Sequence, residues 1–114
     1  MPKVVFRLRI NVSPSNKHDA LELIRFLSGP TRAKQGCLSS QTYQSIDDAA
    51  VLDLVEEWQS ETELDDYIRS SEFKKVFVLM ELSRREPEIQ FQMVSQIQGM
   101  ERIVDIRSEI TPPT

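Results

Sequence analysis

Residues 55–73 read VEEWQSETELDDYIRSSEF, and the reading of this stretch decides the fold. Val55-Glu56-Glu57-Trp58 continues the alternation of Val51-Leu52-Asp53-Leu54, and β-branched and aromatic residues favour a strand. Ser60-Glu61-Thr62-Glu63 then has capping-box spacing. In that motif the Ser60 hydroxyl accepts from the backbone N–H three residues on, and Glu63 reaches back to the N–H of Ser60. Leu64, Tyr67, Ile68 and Ser71 follow at helical spacing, which turns Tyr67 toward the side of Leu64 and Ile68. A strand ending on the only tryptophan thus feeds a helix with an inward tyrosine. Any ligand pocket in this chain has its wall here.

Working outward, Val4, Phe6, Leu8, Ile10 and Val12 alternate with Val5, Arg7, Arg9 and Asn11, a period-2 strand with one strongly apolar face. Ser13-Pro14-Ser15-Asn16 breaks it and offers helix caps. Ala20, Leu21, Leu23, Ile24, Phe26 and Leu27 form a broad helical face. Ser28-Gly29-Pro30 predicts a break or kink, because proline lacks the N–H and biases the residue before it away from helix. Residues 31–35 add a further turn, and Gly36 suits the left-handed position after it. Residues 37–46 read as a second strand and Asp47-Asp48-Ala49 as a turn. The third strand covers about residues 50–59. The helix after it has a joint at Ser70-Ser71, beyond which Phe73, Val76, Phe77 and Met80 resume a core-facing stripe. Glu86-Pro87 ends it. Ile89, Phe91, Met93, Ser95 and Ile97 alternate with glutamines as a fourth strand. Met100, Ile103, Val104 and Arg107 suggest a short terminal helix, and residues 110–114 a loose tail.

The order strand, helix, strand, strand, helix, strand predicts an α+β, ferredoxin-like split βαβ sheet. The sheet is antiparallel, with two helices on one face. The domain is expected over residues 1–97, with residues 98–114 as a helical appendage and tail. The first and fourth strands should be antiparallel neighbours. The second sheet face carries Val5, Arg7, Arg9, Asn11, Tyr43, Asp53, Val55, Glu57, Gln90 and Gln92. That mixture fits either a solvated face or a homodimer meeting sheet to sheet, with ion pairs setting its register. Met100, Ile103 and Val104 are too apolar for an idle tail and are expected to pack on the subunit or its partner.

A chain of 114 residues is one domain with one real core. The net charge of −4 and the scattered lysines and arginines argue against nucleic acid. A single cysteine, Cys37, excludes an intramolecular disulfide and a cysteine-built metal site. No apolar run approaches a membrane span, and without a signal-like start the expected location is cytoplasmic.

The segments GPTRAKQGCLSSQTYQSIDD and LVEEWQSETELDDYIRSSEF resemble the antibiotic biosynthesis monooxygenase family. The shared features are Pro-Thr-Arg and Gly-Cys before the second strand, then Glu-Glu-Trp, a serine cap and a Leu-Asp-x-aromatic run. The resemblance covers about residues 4–97. It implies a dimeric α/β barrel with a pocket inside each subunit, between sheet and helices. It also implies activities ranging from cofactor-independent oxygenation of quinols to haem degradation. Trp58 matches the family tryptophan, and Tyr67 stands where many members have histidine and the haem-degrading branch an aromatic. That branch's iron-binding histidine falls at Phe77, which cannot ligate iron, so haem is expected to be neither substrate nor cofactor. The asparagine of some quinol oxygenases has no counterpart in Leu52-Asp53-Leu54.

Trp58 reads either as a core aromatic or as pocket wall. Tyr67 reads either as a core-edge tyrosine or as a donor to a bound phenol, quinol or carbonyl, and is the candidate catalytic residue. With Phe77 and Phe6 these two are the candidate substrate pocket. His18, the only histidine, reads as solvated and cannot build a zinc site. Cys37 reads as an inert thiol. Glu56 and Glu57 alternate faces, so they form no dyad, and pairing with Arg7 or Arg9 is their expected use. No metal or other cofactor is expected.

The function this points to is a cofactor-independent monooxygenase acting on a small aromatic, quinol-like substrate, which itself supplies electrons to O₂ once deprotonated. No general base for that deprotonation stands out. The alternative is a non-catalytic dimeric ligand-binding or stress-associated protein on the same scaffold, which the scarcity of histidine and asparagine around the pocket favours.

Overall fold

The computed structural model describes residues 2–109. Its centre is strand β1 (Lys3–Asn11), flanked on one side by β3 (Val51–Trp58) and on the other by β4 (Glu88–Val94). Strand β2 (Cys37–Gln44) pairs with the outer edge of β3, so the order is β2-β3-β1-β4 and every pairing is antiparallel. Lys3 faces Val94 and Arg9 faces Glu88 across the β1–β4 pair, as the alternating patterns predict. Helix α1 (Pro14–Arg32) connects β1 to β2. Helix α2 (Glu61–Arg69), a 3-10 turn (Ser71–Phe73) and helix α3 (Lys74–Glu81) connect β3 to β4. This is the ferredoxin-like arrangement. Helix α4 (Met100–Ser108) follows β4. The expected loose tail at residues 110–114 lies outside the described residues.

One core forms between the sheet and its helices. Val4, Phe6, Leu8 and Ile10 on β1 and Leu52, Leu54 and Trp58 on β3 meet Ala20, Ile24 and Leu27 of α1. Leu64 and Tyr67 of α2, with Phe73, Val76 and Leu79, complete it. Period 2 on the strands and period 3.6 on the helices deliver these side chains to one layer.

The proline at 30 does not break α1, which runs unbroken to Arg32. Pro30 and Phe26 lie on the exposed side, where water can take the carbonyl that proline leaves without a donor. Ile24, Leu27 and Thr31, all buried, pin the helix on both sides of the site. Gly36 takes the left-handed φ of 88° as expected. A side chain there would also collide with the Glu63 carboxylate.

The capping box is half made. The Ser60 hydroxyl accepts from the Glu63 N–H at 3.4 Å. The Glu63 side chain does not return the bond but packs on Gly36, with its Oε2 buried and unpaired. The joint after α2 is present: Ser70 is extended, with ψ 160°, and its hydroxyl donates to the Tyr67 carbonyl at 2.6 Å. Past it, Phe73, Val76 and Leu79 face the core, whereas Phe77 points half out.

The ion pairs differ from those expected. Arg9 makes a two-pronged bond to Asp53, at 2.8 and 3.0 Å, and Glu57 accepts from Lys3 at 3.2 Å. Register explains this: Arg9 stands opposite Asp53, while Glu57 stands opposite Val5, two residues from Lys3 and on the same face. Glu56 pairs with no arginine, because its parity on β3 sends it to the core side.

Candidate functional site

Along β3 the inward positions are Leu52, Leu54, Glu56 and Trp58. A carboxylate therefore sits in a row otherwise apolar, fully buried, opposite Phe6 on β1 and Ser40 on β2. Two donors hold it. Trp58 Nε1 donates to Glu56 Oε1 at 3.3 Å, and the Tyr67 hydroxyl reaches Oε2 at 3.5 Å. The Tyr67 oxygen also lies 3.3 Å from Thr31 Oγ1, which the end of α1 carries in. Strand β3, helix α2 and helix α1 thus converge on one carboxyl group.

Burial pushes the Glu56 carboxyl up to about 7, against the opposing pull of the hydrogen bonds from Trp58 and Tyr67. Tyr67 is raised as well, first by burial and then by the charge of Glu56, so its phenol stays a neutral donor. A carboxyl group titrating near neutrality, beside two fixed donors, is suited to taking and returning a proton.

The rings around it form a run. Trp58 and Tyr67 stack with centroids 4.8 Å apart and 25° between planes. Tyr67 meets Phe73 edge-on at 5.3 Å, and Phe73 meets Phe77 edge-on at 5.2 Å. Phe6 lies 6.0 Å from Phe73 and stacks on Phe91 of β4 at 5.2 Å. The run leads from the buried carboxyl to Phe77 and Phe91, which are about half exposed at the β4 edge. On the other side, a cleft of about 680 Å³ between the end of α1 and the start of α2 reaches Tyr67, lined also by Pro30, Lys34 and Glu63.

Of the residues singled out in the sequence, Trp58 and Tyr67 come together in direct contact. Phe6 joins them through Phe73, and Phe77 stands at the outer end of the run. His18 is exposed and remote in kind from this apolar centre. Cys37 is half-buried, its thiol pushed up by burial and by Glu56, and its Sγ lies 3.6 Å from the Ser39 carbonyl. It is a poor nucleophile. The residue that sequence reasoning passed over is Glu56. The signal was present: Glu56 shares its parity with Leu52, Leu54 and Trp58, so an inward tryptophan two residues on implies an inward glutamate.

Comparison with known proteins agrees with this fold. No curated protein matches the sequence significantly. A conserved protein from Methanosarcina mazei Go1 is similar in structure, with a TM-score of 0.78 and 29% identity over 83% of this chain and 95% of that one. A Mycobacterium tuberculosis protein superposes with a TM-score of 0.76 at 24% identity, covering 85% and 99% of the two chains. A structure described as an antibiotic biosynthesis monooxygenase gives 0.73 at 19% identity, covering 82% and 99%. The family pattern for antibiotic biosynthesis monooxygenase matches residues 3–78, which hold β1 through most of α3 and every residue around the buried carboxyl. The chain belongs to the antibiotic biosynthesis monooxygenase family.

Proposed function

We propose that this protein is a cofactor-independent monooxygenase of a small aromatic, quinol-like substrate, with Glu56 as the general base. The observation that carries the reading is the buried carboxyl, raised to about 7 and held between Trp58 and Tyr67. Glu56 takes the phenolic proton. The phenolate passes an electron to O₂, and the resulting radical pair couples to a ring peroxide, which takes the proton back from Glu56 to become a hydroperoxide. Loss of water leaves a quinone, so one oxygen atom enters the ring, the other leaves as water, and all electrons come from the substrate. Tyr67 donates toward the phenolate oxygen, and the apolar wall of Trp58, Phe6 and Phe77 receives the ring and excludes water.

In the structure the carboxyl is sealed, so a substrate reaches it only if this wall opens. Ser70 is the residue between Tyr67 and Phe73 that lies outside any helix, and rotation there moves the wall without unwinding α2 or α3. The outer sheet face, with its Arg9–Asp53 and Lys3–Glu57 pairs around Val5 and Val55, supports a homodimer meeting on that face. Among the described residues no helix is long and apolar enough to cross a membrane.

Oxygen uptake with a panel of hydroquinones tests the chemistry. Glu56→Gln should lower kcat/KM by about 10²-fold or more, and Tyr67→Phe by less. The rate should rise with pH through a group near 7 in the wild type only. Uptake unchanged in Glu56→Gln removes Glu56 from the mechanism. The sealed carboxyl is also the observation that favours a non-catalytic, ligand-binding protein. That reading gains if the phenols bind but no oxygen is consumed.

A further inference from the structure

The helix-side face of β4 is apolar and uncovered. Ile89, Phe91 and Met93 point to the same side as Leu8, Phe6 and Val4, yet each stays about half exposed, as does Phe77 of α3 next in the aromatic run. Helix α4 carries a second uncovered apolar surface: Met100, Ile103, Val104 and Ile106 are all exposed. Residues 95–99 lead α4 off the end of β4, and no residue of α4 is buried. The described chain accordingly measures 61 × 35 × 22 Å. Its radius of gyration is 17.8 Å, where a compact domain of this length has about 13 Å. Monomeric domains do not usually leave two such surfaces bare.

We propose that α4 docks on the β4 and α3 face of a second copy of this chain, and that the two copies exchange these arms reciprocally. One chain carries both halves of the contact, so a two-fold pair satisfies both surfaces at once. Each arm contact draws on eight apolar side chains exposed by 45–70%, and a two-fold pair makes the contact twice, where a standard specific interface totals on the order of 1,600 Å². The connector of residues 95–99 spans at most about 17 Å and carries the helix away from its own sheet. The arm covers Phe77 and Phe91, the open end of the aromatic run. The wall of the site is therefore completed by the partner copy. This rests on the uncovered surfaces alone and stands whether or not the site turns over a substrate.

The test uses full-length chains with Cys37→Ser. One carries Ser108→Cys with a nitroxide label on α4, and the other is ¹⁵N-labelled without a nitroxide. In the mixture, amide signals of Phe77, Phe91 and Met93 in the ¹⁵N chain should broaden. Broadening only when both labels are on the same chain means that α4 folds back on its own subunit, and overturns the proposal. So does the absence of broadening, or broadening confined to the outer sheet face around Arg7 and Tyr43. Independently, Ile103→Asp should weaken dimerisation about tenfold or more in sedimentation equilibrium. An unchanged dissociation constant counts against the exchange.

Discussion

Strands β3 and β4 flank the same central strand and present side chains to the same layer, yet their fates are opposite. The inward residues of β3, Leu52, Leu54, Glu56 and Trp58, are exposed by 2, 4, 0 and 0%. Those of β4, Ile89, Phe91 and Met93, are exposed by 45, 49 and 52%. A glutamate is buried while a phenylalanine stands half in water. Hydropathy did not choose between the strands; the helices did. α2 lies over β1 and β3, α1 packs beside β2, and no helix covers β4. The buried strand tolerates its charge-bearing residue because Trp58 and Tyr67 supply donors. The open strand leaves Ile89, Phe91 and Met93 half in water.

The contrast is tested most severely by truncating one aromatic on each strand. Trp58→Ala removes a fully buried ring and a donor to Glu56, and should destabilise by about 3–5 kcal/mol in urea denaturation. Phe91→Ala, in dilute protein, should cost about 1 kcal/mol or less, since half its ring is already solvated and it loses chiefly the stacking on Phe6. Equal costs for the two would mean that β4 is covered in solution even without a partner.

Titration probes the buried side next. The Glu56 carboxyl lies at about 7 when folded against an ordinary 4.5, so the native state holds the extra proton between those values. Stability from this group is therefore full below about pH 4.5, falls as pH rises, and levels off above about 7. The drop should be on the order of 3 kcal/mol, and Glu56→Gln should abolish it. A flat profile in the wild type would place the carboxyl in contact with water.

The smallest effect belongs to the solvated face. Arg9→Ala breaks the pair with Asp53, whose arginine is more than half exposed, and should change stability by less than about 1 kcal/mol. A larger loss, accompanied by dissociation of a homodimer in sedimentation, would show that the pair is covered by a second copy, as a sheet-to-sheet dimer requires.

Most of the fold was legible in the chain. The alternation from Val4 to Val12, the serine cap at Ser60 and the joint at Ser70-Ser71 each depend on local spacing, and each appears where that spacing predicts. Trp58 and Tyr67 were legible too, because an inward strand end followed by an inward helical residue brings two rings to the same layer. Pro30 was misread, since whether a proline kinks a helix depends on what holds the helix on either side. Phe77 was misread as core, since helical spacing says which side chains share a face but not how far the sheet extends beneath it.

The sequence by itself determined the strand and helix periods, and with them which side of the sheet each residue takes. It even determined that Glu56 points inward, for parity on a strand is a local property. Only the tertiary structure decided what that inward position means. The distances from Glu56 to Trp58 and Tyr67, and the contact of Thr31 at the end of α1 with Tyr67, join residues as far as 36 positions apart. A carboxyl's proton affinity follows from how much water these neighbours exclude, and no local pattern encodes that exclusion. The bareness of β4 is the same lesson reversed, because burial is a property of the neighbour that arrives, not of the side chain that waits.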